Sequence, residues 1–415
     1  MENLEFNIEN KKREPTKDFN SIIALCAIFI FNPLIVIGAV FSTKLLPSFR
    51  KIDIILYLSI LFLIYFWAIF LNKVKISKDM IFVPLTILLL WGVSYSFFPQ
   101  NRPHLLMPLY YLISQVLPAY FFTRSIISIN ILMNYLTTIS YFIISFALLS
   151  IFIKANQNNY LEYNMVFAYV ILPSVLLSLS ALLNKFNAYN LIFSLLGLFI
   201  IITNGSRGAL LSIISYLVLY SIINLKKKIS LILISLSILS SLFILSDNFY
   251  SKLETLSKLL EDYNIKSRTI NKILIDEVAW DNGRLRYFDS SIDIAKENPI
   301  FGLGMAGDRL AGANKLRTTH VSYSHNLFIE LFSQYGLFIG STLILTLLLA
   351  SFYGIFLNKN KNLKLLILAF TPLVFVKLML SSTYIAEIHF FMFIALCINS
   401  IYNSEISTPK ENEIV

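Results

Sequence analysis

The stretch MVFAYVILPSVLLSLSALL, residues 165–183, carries no charged side chain over a length that crosses a bilayer. A helix of about 20 apolar residues spans the hydrocarbon region, since each residue advances about 1.5 Å along the axis. Similar runs recur at 21–40, 52–71, 80–98, 105–122, 131–153, 188–203, 208–224, 229–245, 336–357, 363–380 and 384–402. The hydropathy criterion therefore predicts an all-α, polytopic membrane protein with about twelve transmembrane helices. Composition agrees. The chain has 415 residues, 57% of them hydrophobic and 14% charged, with a mean hydropathy of +0.71. That apolar content excludes a soluble domain of this size. The first twenty residues, MENLEFNIENKKREPTKDFN, are polar and lack a cleavable signal pattern, so the first span is expected to stay as an anchor.

Lysine and arginine set the expected orientation. Lys11, Lys12, Arg13 and Lys17 precede the first run, and Lys73, Lys75 and Lys78 follow the second. Lys226, Lys227 and Lys228 follow the eighth, and Lys359, Lys361 and Lys364 follow the tenth. All fall on one side if both termini are cytoplasmic, as the positive-inside rule expects; Lys44, Arg50 and Lys51 are the main exception. The formal charge of +10 is then mostly topology. Its dispersal over short loops argues against a nucleic-acid partner. Cys26 and Cys397 both lie in apolar runs, which leaves neither a disulfide framework nor a CxxC metal site. The glycines of GLGMAG at 302–307 lack the Lys-Ser/Thr ending of a phosphate-binding P-loop.

One long segment breaks the apolar pattern. The sequence divides into a cytoplasmic tail at 1–20, nine spans over 21–245, a polar segment at 246–324, an interfacial helix with three further spans over 325–402, and a second tail at 403–415. The polar segment follows an odd-numbered span and is expected outside the cytoplasm as one large helical loop. Phe249, Leu253, Leu256 and Leu260 recur at helical spacing, and a second helix is predicted from about 284 to 297, stopped by Pro299. Gly302, Gly304 and Gly307 permit tight turns after it.

Candidate site residues concentrate at this level. On the second loop helix, Leu285, Tyr287, Phe288, Ile292 and Ala295 form the predicted apolar face. Arg286 lies opposite it with Asp289 and Asp293, whereas Arg284 interrupts it. Such an arginine either meets an anion or snorkels from the helix start. Arg207 sits in Asn204-Gly205-Ser206-Arg207-Gly208 between two spans. There, exposed backbone N–H groups and a guanidinium suit a diphosphate, or an ordinary interfacial arginine closes a hairpin. Ser324 is expected to cap a helix, placing His325 in its first turn at the membrane boundary, as a proton acceptor or as a cap ligand. From there Leu327, Phe328, Leu331, Phe332 and Tyr335 make an apolar face, and Asn326, Glu330, Ser333 and Gln334 a polar one. Lys377, Glu387, His389 and Arg102 are expected at the same level, lining a cavity, with His104 beside Arg102. Lys377 and Glu387 could equally form a structural ion pair. His320 reads as a loop residue.

The blocks Asn204-Gly205-Ser206-Arg207-Gly208-Ala209, then Gly283-Arg284 with Asn298-Pro299-Ile300-Phe301-Gly302-Leu303-Gly304, then Ser324-His325-Asn326-Leu327-Phe328, together resemble the O-antigen ligase/polymerase family. They occur in that family's order, around its large extracytoplasmic loop, within the second half of the chain. The resemblance implies a GT-C-like glycosyltransferase of the cytoplasmic membrane, metal-independent and inverting. Its donor would be an undecaprenyl-diphosphate-linked oligosaccharide, and its active site would face outside the cytoplasm. It implies that Arg207 and Arg284 hold the diphosphate and that His325 acts on the acceptor hydroxyl, with no cofactor. Membrane lipid, a chain-length regulator and a flippase are the partners it implies. The tryptophan usual in the family shortly after the second arginine is absent; Tyr287 and Phe288 stand there.

Three functions share these features. A polymerase joins the glycan to another lipid-linked repeat unit of an O-antigen, capsule or exopolysaccharide; a ligase joins it to lipid A-core. Nothing outside the shared site points to a lipid A-core partner, which favours the polymerase. A transporter or flippase for lipid-linked glycan would also need a cationic cavity, but such proteins show paired repeats and midplane helix breaks, whereas here only one half carries a large loop.

Overall fold

The computed structural model describes residues 15–42, 50–72, 76–156, 165–204, 206–225, 247–262, 284–318 and 323–406, and contains no strand among them. Nine helices come first: α1 (Pro15–Ser42), α2 (Arg50–Asn72), α3 (Lys78–Phe97), α4 (Arg102–Tyr111), α5 (Leu117–Ser125), α6 (Ile129–Asn156), α7 (Met165–Asn184), α8 (Ala188–Thr203) and α9 (Arg207–Ile223). Then come α10 (Asp247–Asp262), α11 (Arg284–Glu297) and α12 (Gly307–Lys315) in the predicted loop, and α13 (Leu327–Phe352), α14 (Lys361–Pro372) and α15 (Ile388–Ile406) after it. Helix is the expected answer for such runs, because a backbone in hydrocarbon must satisfy its own hydrogen bonds.

Each predicted span falls on a helix except 229–245, which lies outside the described residues. Six described helices are long and apolar enough to cross a membrane, or up to seven if a pair bent by 46°, Pro99–Leu106 with Pro108–Ser125, is one span. The bend falls between Leu106 and Pro108, within α4, where proline interrupts the helical hydrogen bonding. A π-helical turn, Leu112–Val116, then joins α4 to α5. A hydropathy window does not register such a bend. Leu58–Phe70, Ala188–Thr203, Gly208–Ile223 and Ile388–Tyr402 are apolar but shorter. Both cysteines are buried and free.

The core sits around α7 and α14. Within their apolar windows 67% and 72% of residues are buried, against 11% in α3 and 22% along Leu327–Leu357. Small residues let α7 and α8 approach closely, the usual device where hydrocarbon surrounds both helices. Ser194 donates to Ser178 across them at 3.3 Å, and a Cβ at Gly197 would stand 2.7 Å from Val175. At the start of α3, Arg124 donates to Asp79 at 2.6 Å and to the Asn399 side chain at 2.7 Å, tying α3, α5 and α15 together.

The two predicted loop helices are present as α10 and α11. The buried face of α11 runs through Ser290, Ser291 and Ile294, with Ile292 only half-buried. It is therefore turned from the predicted face, because two serines, invisible to an apolar pattern, do the packing. Arg286 is exposed, as expected. The start of α13 needs a correction. Asn326, not Ser324, is its N-cap, accepting from Phe328 N at 3.0 Å and Ile329 N at 3.2 Å. Asn326→Ala is expected to lower stability by about 1 kcal/mol, read as an earlier thermal transition in detergent.

Candidate functional site

The site is built on a break in a membrane helix. Along α13, Gly336 departs from helical geometry with φ 72 and ψ 179, a region open essentially to glycine alone. In an unbroken helix the carbonyls of Ser333 and Gln334 would accept from residues 337 and 338. Here they accept instead from Leu303 N at 2.9 Å and Gly304 N at 2.8 Å, while Leu337 N donates to Pro299 O at 2.6 Å. The segment after α11 thus completes the hydrogen bonding of the broken helix. Its own glycines make this approach possible: Gly302 and Gly304 have φ 64 and 75, and a Cβ on Gly302 would lie 2.5 Å from the Gln334 carbonyl.

Beside this junction lies a polar cluster drawn from residues distant in sequence. Asp308, 2% exposed, accepts from Ser324 N at 3.1 Å, Ser324 Oγ at 2.7 Å and Gln334 Nε2 at 2.7 Å. Gln334 also donates to Glu330 at 3.3 Å and accepts from the Tyr384 hydroxyl at 2.8 Å, which meets the Tyr335 hydroxyl at 2.8 Å. Thr383 donates to the cluster's other buried carboxylate, that of Glu330. The face of α13 expected to be merely polar is therefore a buried one, since Glu330, Ser333 and Gln334 are at most 1% exposed. Two polar residues four apart, Glu330 and Gln334, at the head of an otherwise apolar run were the available signal.

His325 is held above this cluster. Ser324 is fixed by Asp308 on one side and Asn326 caps α13 on the other. Between them His325 takes φ 52, a left-handed conformation outside the helix rather than its first turn. The serine expected to cap the helix is spent on Asp308, and Asn326 serves instead; this is the physical reason for the shift. The ring sits 4.3 Å from that of Tyr323 and 6.3 Å from that of Tyr287, centroid to centroid. The Tyr323 hydroxyl accepts from Ser382 N at 2.8 Å, which links His325 to the 381–387 turn.

Around that turn three of the predicted residues come together, Lys377 before it, Glu387 at its end and His389 at the start of α15. Lys377 donates to Glu387 at 2.6 Å, and Glu387 meets His389 Nδ1 at 2.5 Å on its other oxygen. All three are buried, with Phe29 and Phe370 rings around His389. Lys377 Nζ lies 6.0 Å from the Tyr169 ring. A Cβ on Gly208 would lie 1.9 Å from the Tyr169 hydroxyl, so this tyrosine packs on the backbone directly after Arg207. Ser206 caps α9 there, accepting from Ala209 N at 3.4 Å. Arg207 and Arg284 are the first residues of α9 and α11; their side chains, like Gly205 and His320 altogether, lie outside the described part.

Arg102 stands apart from Lys377, Glu387 and His389. It is exposed, donates to Tyr95 O at 2.9 Å and lies 5.0 Å over the Tyr95 ring, held by its own turn. Its neighbour Asn101, 1% exposed, joins this turn to the segment after α11, its amide donating to Leu303 O at 2.7 Å. The His104 carbonyl accepts from Arg309 at 3.3 Å.

Fold and site together define a multi-pass helical membrane protein with a polar site where a helical cap meets a broken membrane helix. The sequence model of the O-antigen ligase family matches residues 192–344, from within α8 to just past the break in α13. That segment contains Arg207, Arg284 and His325, so the resemblance to the O-antigen ligase/polymerase family holds over it. No curated protein and no solved structure matches the chain.

Proposed function

We propose that the protein is a polymerase that joins undecaprenyl-diphosphate-linked repeat units of a polysaccharide on the outer face of the cytoplasmic membrane. In this reading both termini are cytoplasmic, the chain crosses about twelve times in a GT-C-like arrangement, and the 246–324 segment caps the outer side. The observation that carries it is the holding of His325 from both flanks, within the segment that the O-antigen ligase family matches.

The chemistry follows from the residue types. A lipid diphosphate is a good leaving group, so Arg207 and Arg284 need only stabilise the charge that grows as it departs. His325 takes the proton of the acceptor hydroxyl, which attacks the anomeric carbon in line and inverts it. Lys377 and Glu387, already paired, neutralise each other and leave the arginines as the cations for the donor. A ligase acting on lipid A-core is the second reading, favoured by the description of the matching family.

The test uses purified protein in vesicles supplied with lipid-linked repeat units, with product length followed on a gel. Lengthened glycan supports the polymerase; glycan that appears only when lipid A-core is added supports the ligase; none under either condition removes both. In the same assay product is expected to collapse for Arg284→Ala and to persist for the exposed Arg286→Ala. Equal losses would mean that Arg284 holds no special place on α11.

A further inference from the structure

Ile300 and Phe301, at the tip of the segment after α11, are 55% and 76% exposed. They stand out from their surroundings, for Gly302, Gly304, Met305, Ala306 and Gly307 behind them are buried. Asn298 to Gly307 contains no charged side chain. The tip has a defined place between two helices. On one side its backbone lies on Gly336, where a Cβ would stand 2.2 Å from Ile300 O. Up to that point α13 is mostly buried; directly after it, Leu337, Phe338 and Ile339 are 55%, 70% and 43% exposed and continue into the lipid-facing run of the span. On the other side Met305 N donates to Ser94 Oγ at 2.7 Å and Gly304 packs on Phe98, at the end of α3, whose last residue Phe97 is 76% exposed. These two spans are the least buried of the six candidates.

We propose that Ile300 and Phe301 are seated among the acyl chains of the bilayer, in the leaflet on the cap's side, and anchor the cap in lipid at the rim between α3 and α13. The apolar tip continues the surface that both helices present to hydrocarbon, and apolar side chains leave water for such a medium spontaneously. Non-helical backbone is tolerated at membrane depth only where protein satisfies it. Gly302, Leu303, Gly304 and Met305 meet that condition through Asn298 O, Ser333 O, Gln334 O and Ser94 Oγ. The proposal is independent of the reaction assigned above.

Single cysteines at Ile300 and Phe301, each carrying a nitroxide, test it in the full chain reconstituted in phosphatidylethanolamine–phosphatidylglycerol vesicles. Cys26 and Cys397 are buried and stay unlabelled. Power saturation compares collision with oxygen, which concentrates in lipid, and with a water-soluble nickel complex. Both tip positions are expected to follow a label at Phe338→Cys, with high oxygen and low nickel collision. A match to a label at Lys296→Cys, whose native side chain is 74% exposed on α11, would put the tip in water and overturn the proposal. Low collision with both reagents would mean that protein, such as a second copy, covers the tip, and overturns it equally. Ile300→Cys and Phe301→Cys are read separately, so failure of one to fold leaves the other to decide.

Discussion

Replacing His325 with alanine is expected to slow glycan transfer by roughly 10²–10⁴-fold, the usual worth of a positioned general base. Donor retention should change little, because the groups that fix the turn remain: Asp308 still accepts from Ser324, and Asn326 still caps α13. Asparagine in place of His325 is the better control, since it tolerates the left-handed φ of 52 but cannot take a proton at neutral pH. Both variants should therefore be slow. Arg207→Ala should differ from them by weakening donor retention as well as rate. The measurement is the initial rate in reconstituted vesicles, set beside the lipid-linked donor retained by the protein. A wild-type rate for His325→Ala would reduce this residue to the join between cap and helix.

The second large effect is on stability. Lys377→Ala leaves the Glu387 carboxylate buried beside His389 alone, and breaking such a pair on one side costs about 3–5 kcal/mol. The thermal transition in detergent should fall steeply for Lys377→Ala. It should recover in the double variant Lys377→Met, Glu387→Leu, because no uncompensated charge remains. Activity of the double variant then separates the two roles open to this pair. A stable, active double variant makes it structural; a stable, inactive one makes it part of the reaction.

Much of this architecture was legible because hydropathy and helical spacing act locally. The 188–203 run, marginal by length, is the α8 helix over the same residues, and Pro299 stops α11 at Glu297 as proline must. The grouping of Lys377 with Glu387 followed from two charges near one end of neighbouring spans. What stayed hidden depends on partners distant in sequence. Nothing local tells Ser324 to bond Asp308 rather than cap a helix, since both uses need the same hydroxyl. Asn101 reaches Leu303 across 202 positions, while the charged neighbour Arg102, the more conspicuous residue, turns back to Tyr95. Gly336 is simply the first residue of the 336–357 apolar run; that it breaks the helix depends on Pro299, Leu303 and Gly304 arriving to take over the hydrogen bonds there.

That exchange at Gly336 bears on how the protein is made. The 299–304 segment leaves the ribosome before Ser333 to Leu337, so the earlier side of the junction must wait, its donors open, for the later one. Until α13 arrives, the cap can dock only on the end of α3 and the Asn101 turn, and Leu303 N and Gly304 N lack their acceptors. Until the cap docks, the carbonyls of Ser333 and Gln334 at the head of α13 have no partner on the chain. Neither piece can therefore mature first. Cap and last spans form a single cooperative unit of biogenesis, and a cap excised or expressed alone should lack the order it has in the whole chain.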